Sequence, residues 1–180
     1  NMRYSCSSLR ADSLTQAVVD GLAESGQKTI TIAPETGSER LRRVINKGIS
    51  EENLRTAAQL SAKSGIQHMR LYIMIGLPTE TDEDIDAIVG LAKRTQAHMA
   101  EVGCKGRLTL SINPFIPKPF TPFQWAPMYT EQDFIDKAKV VKEEIRAQLN
   151  QKSIKYNWHE PDVTTLEGFL ARGDRRASEV

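Results

Sequence analysis

Residues 29–48 read TITIAPETGSERLRRVINKG, and this stretch sets the fold of the chain. Thr29–Ala33 carries two isoleucines and two threonines, the composition of a short buried strand. Pro34 has no N–H to donate, so regular pairing ends there. Glu35, Thr36, Gly37 and Ser38 form a polar turn, and a helix begins near Ser38 or Glu39. In an α/β fold such a turn lies at the carboxyl end of a strand, where ligands bind. The helix start there offers unpaired N–H groups and a partial positive charge. A carboxylate at Glu35 can grip a hydroxyl pair or an ammonium, and Lys47, further along, is a candidate counter-ion for a ligand carboxylate. The same letters also fit a plain helix start with a surface acid.

Composition narrows the class. The chain has 180 residues, 39% hydrophobic and 26% charged, with a formal net charge of +1. A chain of this length buries about 70% of its unfolded surface and needs no staples. Near-neutral charge argues against a dominant nucleic-acid or membrane role. Cys6 and Cys104 are far apart, make no metal-spacing motif, and point to a reducing cytoplasm. Both ends read as cut, which implies a fragment of a longer protein.

Taken in order, Arg3–Leu9 reads as a serine-weakened strand. Ser13 caps a helix with Leu14, Val18 and Leu22 on one face, closed by Gly26. The helix after Ser38 turns Leu41, Val44 and Ile45 inward and ends at Gly48. Ser50 caps the next one, with Leu54, Ala57, Ala58 and Leu60 inward and a stop at Gly65. Gln67–Ile75 is the most apolar strand, and the run Leu71–Ile75 predicts burial on both faces. Gly76-Leu77-Pro78 breaks it, and Thr81 with Asp84 opens a helix bearing Ile85, Ile88, Val89 and Ala92. Arg107–Ile112 is a further strand, followed by a proline- and aromatic-rich ordered loop, residues 113–129. Thr130 caps a helix with Phe134, Ala138, Val141, Ile145 and Leu149 inward. Ser153–Trp158 alternates as a strand, and Thr164–Arg172 reads as a short helix. Alternation of this kind predicts parallel strands joined by right-handed crossovers, in an open sheet or part of a barrel.

Four loops have a more specific spelling. They are Ser8-Leu9-Arg10-Ala11-Asp12, Ala33-Pro34-Glu35-Thr36-Gly37-Ser38, Tyr72-Ile73-Met74-Ile75-Gly76-Leu77-Pro78-Thr79-Glu80-Thr81, and the segment from Asn113-Pro114-Phe115 to Phe123. Together they resemble the radical S-adenosylmethionine (SAM) enzymes, and more narrowly the cobalamin-domain-associated Fe–S oxidoreductase branch. Asn157-Trp158-His159 and Leu166–Arg176 resemble the region after the barrel in that branch.

The resemblance implies an α/β fold, a partial (β/α) barrel of about four parallel strands with outer helices. Residues 1–129 would be the C-terminal part of the barrel, and 130–180 a helix with a small strand and helix extension. It implies S-adenosylmethionine and a 4Fe–4S cluster as cofactors, with cobalamin in the full-length parent. The family's C-x-x-x-C-x-x-C cluster motif is absent here, so the cluster ligands would lie outside this chain and the fragment would be inactive alone. Carried over by position, Ser8 would touch the cofactor's amino or ribose groups. Glu35 would contact the ribose or methionyl part, and Lys47 the methionyl carboxylate. Tyr72 and Met74 would lie along ribose and adenine, and Asn113 with Pro114 on the adenine side. The expected partners are the small-molecule cofactor, the missing N-terminal half, and a second copy through an exposed sheet edge.

Blander readings stand beside these. Glu80, Asp82, Glu83 and Asp84 read as first-turn helix charges. His68 and His98 stand alone, and His159-Glu160 lacks a second histidine at Val163, so no zinc motif is completed. The aromatic–proline loop and basic tail supply an alternative, an RNA or other nucleic-acid binding module.

Overall fold

A computed structural model describes residues 3–149, 152–158 and 160–179. Strands β1 (Thr29–Glu35), β2 (His68–Ile75), β3 (Arg107–Pro114) and β4 (Ile154–Trp158) form one four-stranded sheet in that spatial order. Every neighbouring pair is parallel. Helix α1 (Gln16–Glu24) precedes β1, and between and after the strands run α2 (Glu39–Val44), α3 (Glu51–Lys63), α4 (Asp82–Glu101), α5 (Glu131–Gln148) and α6 (Pro161–Arg172). Because each crossover steps to the next strand in the same direction, right-handed connections bring the helices to one face. The result is a singly wound α/β sheet, consistent with part of a (β/α) barrel.

Burial follows that layering. Ile30, Ile32, Met69, Leu71, Ile73, Ile75, Leu108, Leu110, Ile112 and Ile154 form one core with Leu22, Leu54, Ile88, Val141 and other helix residues. The intervening strand positions, including Thr29, His68, Arg70, Tyr72, Met74, Thr109, Ser111 and Asn113, stay half-buried on the other face. The expectation that Leu71–Ile75 is buried on both faces is therefore corrected. β2 alternates strictly between half-buried and buried, because helices cover one side only.

Strand membership also differs from the sequence reading. Within Arg3–Leu9 only Leu9 pairs, its N–H donating to the Thr31 carbonyl at 2.9 Å beside Ile32. The serines before it have no apolar area to bury and residues 3–8 stay exposed. β4, read as part of an extension, instead completes the sheet through Leu108↔Ile154 and Ile112↔Trp158.

The helix starts obey their letters. Ser50 with Asn53, Thr81 with Asp84 and Thr130 with Asp133 form reciprocal capping boxes. The exception is α1, capped by Thr15 rather than Ser13, whose side chain accepts from the Val18 N–H. Ser13 sits in a 3₁₀ turn, Ala11–Ser13, that buries Ala11, while Leu14 is buried ahead of the helix. The inward face of α1 is consequently Val19 and Leu22, with Val18 exposed. Among the described residues, no helix is long and apolar enough to cross a membrane.

Candidate functional site

Positive-φ residues, buried ion pairs and a cleft gather at the carboxyl ends of β1, β2 and β3. At β1 the register slips. Ile32 faces Leu71 but Glu35 faces Ile73, so one strand advances three residues while its partner advances two. Pro34 sits in this bulge, where no ladder N–H is required. Glu35 leaves the bulge with φ of 70°, the left-handed region that favours glycine. Its carboxylate accepts from Lys47 Nζ at 2.7 Å, and both side chains are mostly buried. Thr79 and Phe120, in the loops after β2 and β3, also hold positive φ. Backbone strain thus gathers at one end of the sheet.

Two buried charges lock the turn after β1. Arg42 of α2, 1% exposed, donates back to the Thr36 carbonyl at 3.1 Å and pairs with Glu51 at 3.4 Å. Burial pulls its pKa below the ordinary arginine value, partly offset by Glu51. Asp84 on the first turn of α4 accepts from the Ser38 hydroxyl and from the Arg40 guanidinium. Burial alone would raise the Asp84 pKa, but Arg40, Ser38 and Thr81 together hold it down at about 2. Gly37 is enclosed by the same helix. A Cβ there would lie 2.2 Å from the Ile88 backbone nitrogen.

The turn after β2 is closed differently. Gly76, at φ 91°, donates its N–H to Glu80 Oε1 at 2.9 Å, and the Tyr129 hydroxyl donates to the same oxygen at 3.3 Å. Burial raises the Glu80 pKa above the ordinary carboxylate value, and burial with Glu80 raises that of Tyr129. Glu80 is therefore not a first-turn helix charge. It precedes α4 and folds back over the strand end, because the Gly76 N–H needs an acceptor.

Beside this turn lies a cleft of about 450 Å³. Met74, Asn113, Pro114, Phe115 and Phe123 line it, with Thr164 and Glu167 of α6 on the far wall. Phe115 and Phe123 meet edge to face, centroids 6.2 Å apart. Lys118 and Glu167 pair at the rim, 2.5 Å apart. The cleft is within the usual range of small-ligand sites, about 300–1,000 Å³. Its thioether, rings and single amide suit a flat heteroaromatic group edged with hydrogen-bonding nitrogens.

The candidate residues named from sequence fall into groups. Met74 and Asn113 are register partners and share the cleft. Glu35 and Lys47 are joined as an ion pair. Tyr72 lies two residues before Met74 on the same half-buried face. Ser8 is exposed, just before the Leu9 bridge, and is not brought into contact with the others. Sequence reasoning missed Arg42, Glu80 and Asp84 as braces, and Thr164 and Glu167 as cleft wall. Asp84 was signalled only as a cap, and nothing local marks the others.

Cys6 is exposed and Cys104 partly buried, both free. Among the described residues no group of three or more histidine, cysteine or acidic side chains could hold a metal ion. These residues do not fit a 4Fe–4S cluster. His159 lies outside the described residues.

Comparison with known proteins follows the same lines. The profile of the Radical SAM superfamily matches residues 2–92. An uncharacterized protein of Methanocaldococcus jannaschii is 38% identical over 178 residues, covering 99% of this chain and 37% of the relative. An uncharacterized methyltransferase of Pyrococcus horikoshii is 29% identical over 94 residues, covering 52% of this chain and 20% of that protein. The chain thus spans well under half the length of either relative.

Proposed function

The chain belongs to the Radical SAM superfamily, and on that premise we propose that it is the C-terminal part of a catalytic barrel, supplying the nucleoside and methionyl side of an S-adenosylmethionine site. The observation that carries this reading is the pairing of Met74 with Asn113 in one cleft at the strand ends, on the same edge as Glu35 and Lys47. Met74, Phe115 and Phe123 would enclose the adenine, and Asn113 would read its edge. Tyr72 would lie below the ribose.

Glu35 and Lys47 are opposite charges of the kind that an amino-acid zwitterion requires. Each would exchange its present partner for the ligand's ammonium or carboxylate, so recognition costs no unpaired charge. Beside a cluster held elsewhere in the full-length protein, bound S-adenosylmethionine would supply radical chemistry; the residues here would orient the nucleoside and keep water from its adenine. On this reading the cluster ligands lie in the remainder of the full-length protein.

The test is titration of the full-length protein, reconstituted with iron and sulfide, with S-adenosylmethionine. Binding should weaken at least about tenfold in Glu35→Ala and in Lys47→Ala. Absence of binding, or no loss in either variant, overturns the reading.

Phe120 and Trp125, 96% and 88% exposed, favour a second reading, stacking of single-stranded RNA on the loop after β3. Arg176 in the tail is tied to Asp174, which removes one of the charges it would use. Salt-dependent binding of a single-stranded RNA, lost in Trp125→Ala, would support it.

A further inference from the structure

The helix-free face of the sheet carries a register row that the cofactor reading does not use. One register row crosses all four strands as Thr31, Arg70, Thr109 and Lys155. The row nearer the amino ends is Thr29, His68 and Arg107. The row toward the carboxyl ends holds Tyr72, Ser111 and Asn157. On this face the strands present hydroxyl, amide and cationic groups, and Glu35, at the end of β1, is already held by Lys47.

Several polar side chains here have no partner among the described residues. Arg70 Nε is buried and makes no hydrogen bond among the described residues, and His68 Nδ1 is in the same state. Neither Arg107 nor Lys155 has an ion pair among the described residues, although such pairs hold charges elsewhere, as between Arg10 and Asp12 or Arg176 and Asp174. A buried donor without an acceptor is costly, so native structures rarely keep one unless something else supplies the acceptor.

We propose that this row is a subsite for the anionic end, carboxylate or phosphate, of an elongated substrate of the same enzyme. The inference rests on the cofactor reading for the word substrate, and on the geometry of the face for the anion. Arg70 supplies a planar fork that matches either oxyanion bidentately. Thr31 and Thr109 flank it on neighbouring strands, each about 4.8 Å away, and can donate hydroxyl hydrogens to the same oxygens. Lys155, exposed on the outer strand, adds a point charge at the rim. Arg70 precedes Met74 by four residues, about 13 Å along the strand. A substrate anchored at Arg70 and reacting near the nucleoside at the strand ends must therefore be long, with its anion remote from the reacting carbon.

The probes are inorganic phosphate and succinate, titrated into this chain at constant ionic strength and followed by backbone amide shifts. Saturable binding is expected, weakened at least about tenfold in Arg70→Gln and unchanged in Arg172→Gln on the outer helix α6. The stronger probe tells phosphate from carboxylate. If Arg70→Gln fails to fold, Thr109→Val and Lys155→Gln should each weaken binding at least about threefold. No saturable binding of either probe, or equal weakening in Arg172→Gln, overturns the proposal; so does an acidic segment of the full-length protein pairing with Arg70, seen as loss of probe binding there. The readout is independent of cofactor. Phosphate binding without S-adenosylmethionine binding in the reconstituted protein would remove the cofactor reading and leave the anion site. The reverse result would do the opposite.

Discussion

Lys47 Nζ lies 2.7 Å from Glu35 Oε1, and the residue that offers this carboxylate does so from a backbone at φ 70°. Holding a non-glycine residue there costs about 1–2 kcal/mol. The bulge around Pro34 keeps it in place, and the reward within the free chain is one ion pair. These two contributions separate by substitution. Glu35→Ala loses the pair and keeps the strain, whereas Glu35→Gly loses the pair and relieves it. Glu35→Gly should be the more stable of the two by about 1 kcal/mol in urea unfolding. A cycle of Glu35→Gln and Lys47→Met should show coupling of about 1 kcal/mol or less, weakening with salt. Equal stability of the alanine and glycine variants would mean that the turn relaxes once the pair is gone.

Asp84 makes the turn acid-sensitive. Its pKa is about 2 in the fold against an ordinary 3.8. A depressed carboxyl pKa contributes stability that is fully present above the unfolded value and is lost as pH falls through the folded one. The window is therefore pH 4 down to about 2, and the contribution at neutral pH is about 2 kcal/mol. Asp84→Asn should lose about that much at pH 7 and show a flatter decline of stability through this window. Urea midpoints at a series of pH values check it. An unchanged acid limb would place the sensitivity in another carboxylate.

Much of the frame was legible because it is written locally. Ser50, Thr81 and Thr130 each stand before an apolar period and each caps its helix. Met74 and Asn113 could be placed at strand ends from the turn letters alone. What escaped is long-range. An arginine in an amphipathic helix reads as solvent-facing, yet Arg42 is buried because the Thr36 and Gly37 carbonyls turn inward and Glu51 lies across from it. Thr164 and Glu167 enter the cleft from α6, through packing that no local pattern encodes. The strand expected at Arg3–Leu9 failed for the opposite reason. Serines in place of apolar residues leave nothing there to drive burial.

Gly37 offers the sharpest steric prediction. Its Cβ would meet Ile88 N at 2.2 Å and Ala87 C at 2.4 Å, both backbone atoms of α4, so something must shift. Gly37→Ala should destabilise by about 1–3 kcal/mol, the usual range for overpacking. On the proposed site it should also weaken S-adenosylmethionine binding by the full-length protein, since the displaced turn carries Glu35. Gly48 is the control, because nothing lies within 4 Å of its Cβ position. Gly48→Ala should be neutral or slightly stabilising, through the unfolded chain. Thermal melts of the two variants side by side decide the matter. Equal behaviour would show that α2 and α4 can separate at no cost.

Glu80 tests whether the second turn needs a charge or only an acceptor. Burial raises its pKa above the ordinary 4.5, although the Gly76 N–H and Tyr129 hydroxyl bonds favour the ionised form. A raised carboxyl pKa contributes stability that is fully present below the unfolded value and is lost as pH rises through the folded one. At neutral pH the ionised group is thus a net electrostatic cost, kept because Gly76 at φ 91° requires an acceptor. Glu80→Gln keeps an oxygen for that N–H and removes the charge. It should match or exceed the wild-type melting temperature at pH 8, with a smaller advantage at pH 4. Glu80→Ala leaves the donor unpaired and should cost about 1–3 kcal/mol at both pH values. If glutamine were as damaging as alanine at pH 8, the carboxylate itself would be required at this strand end, and a role in binding a cation or a ligand donor would replace the structural one.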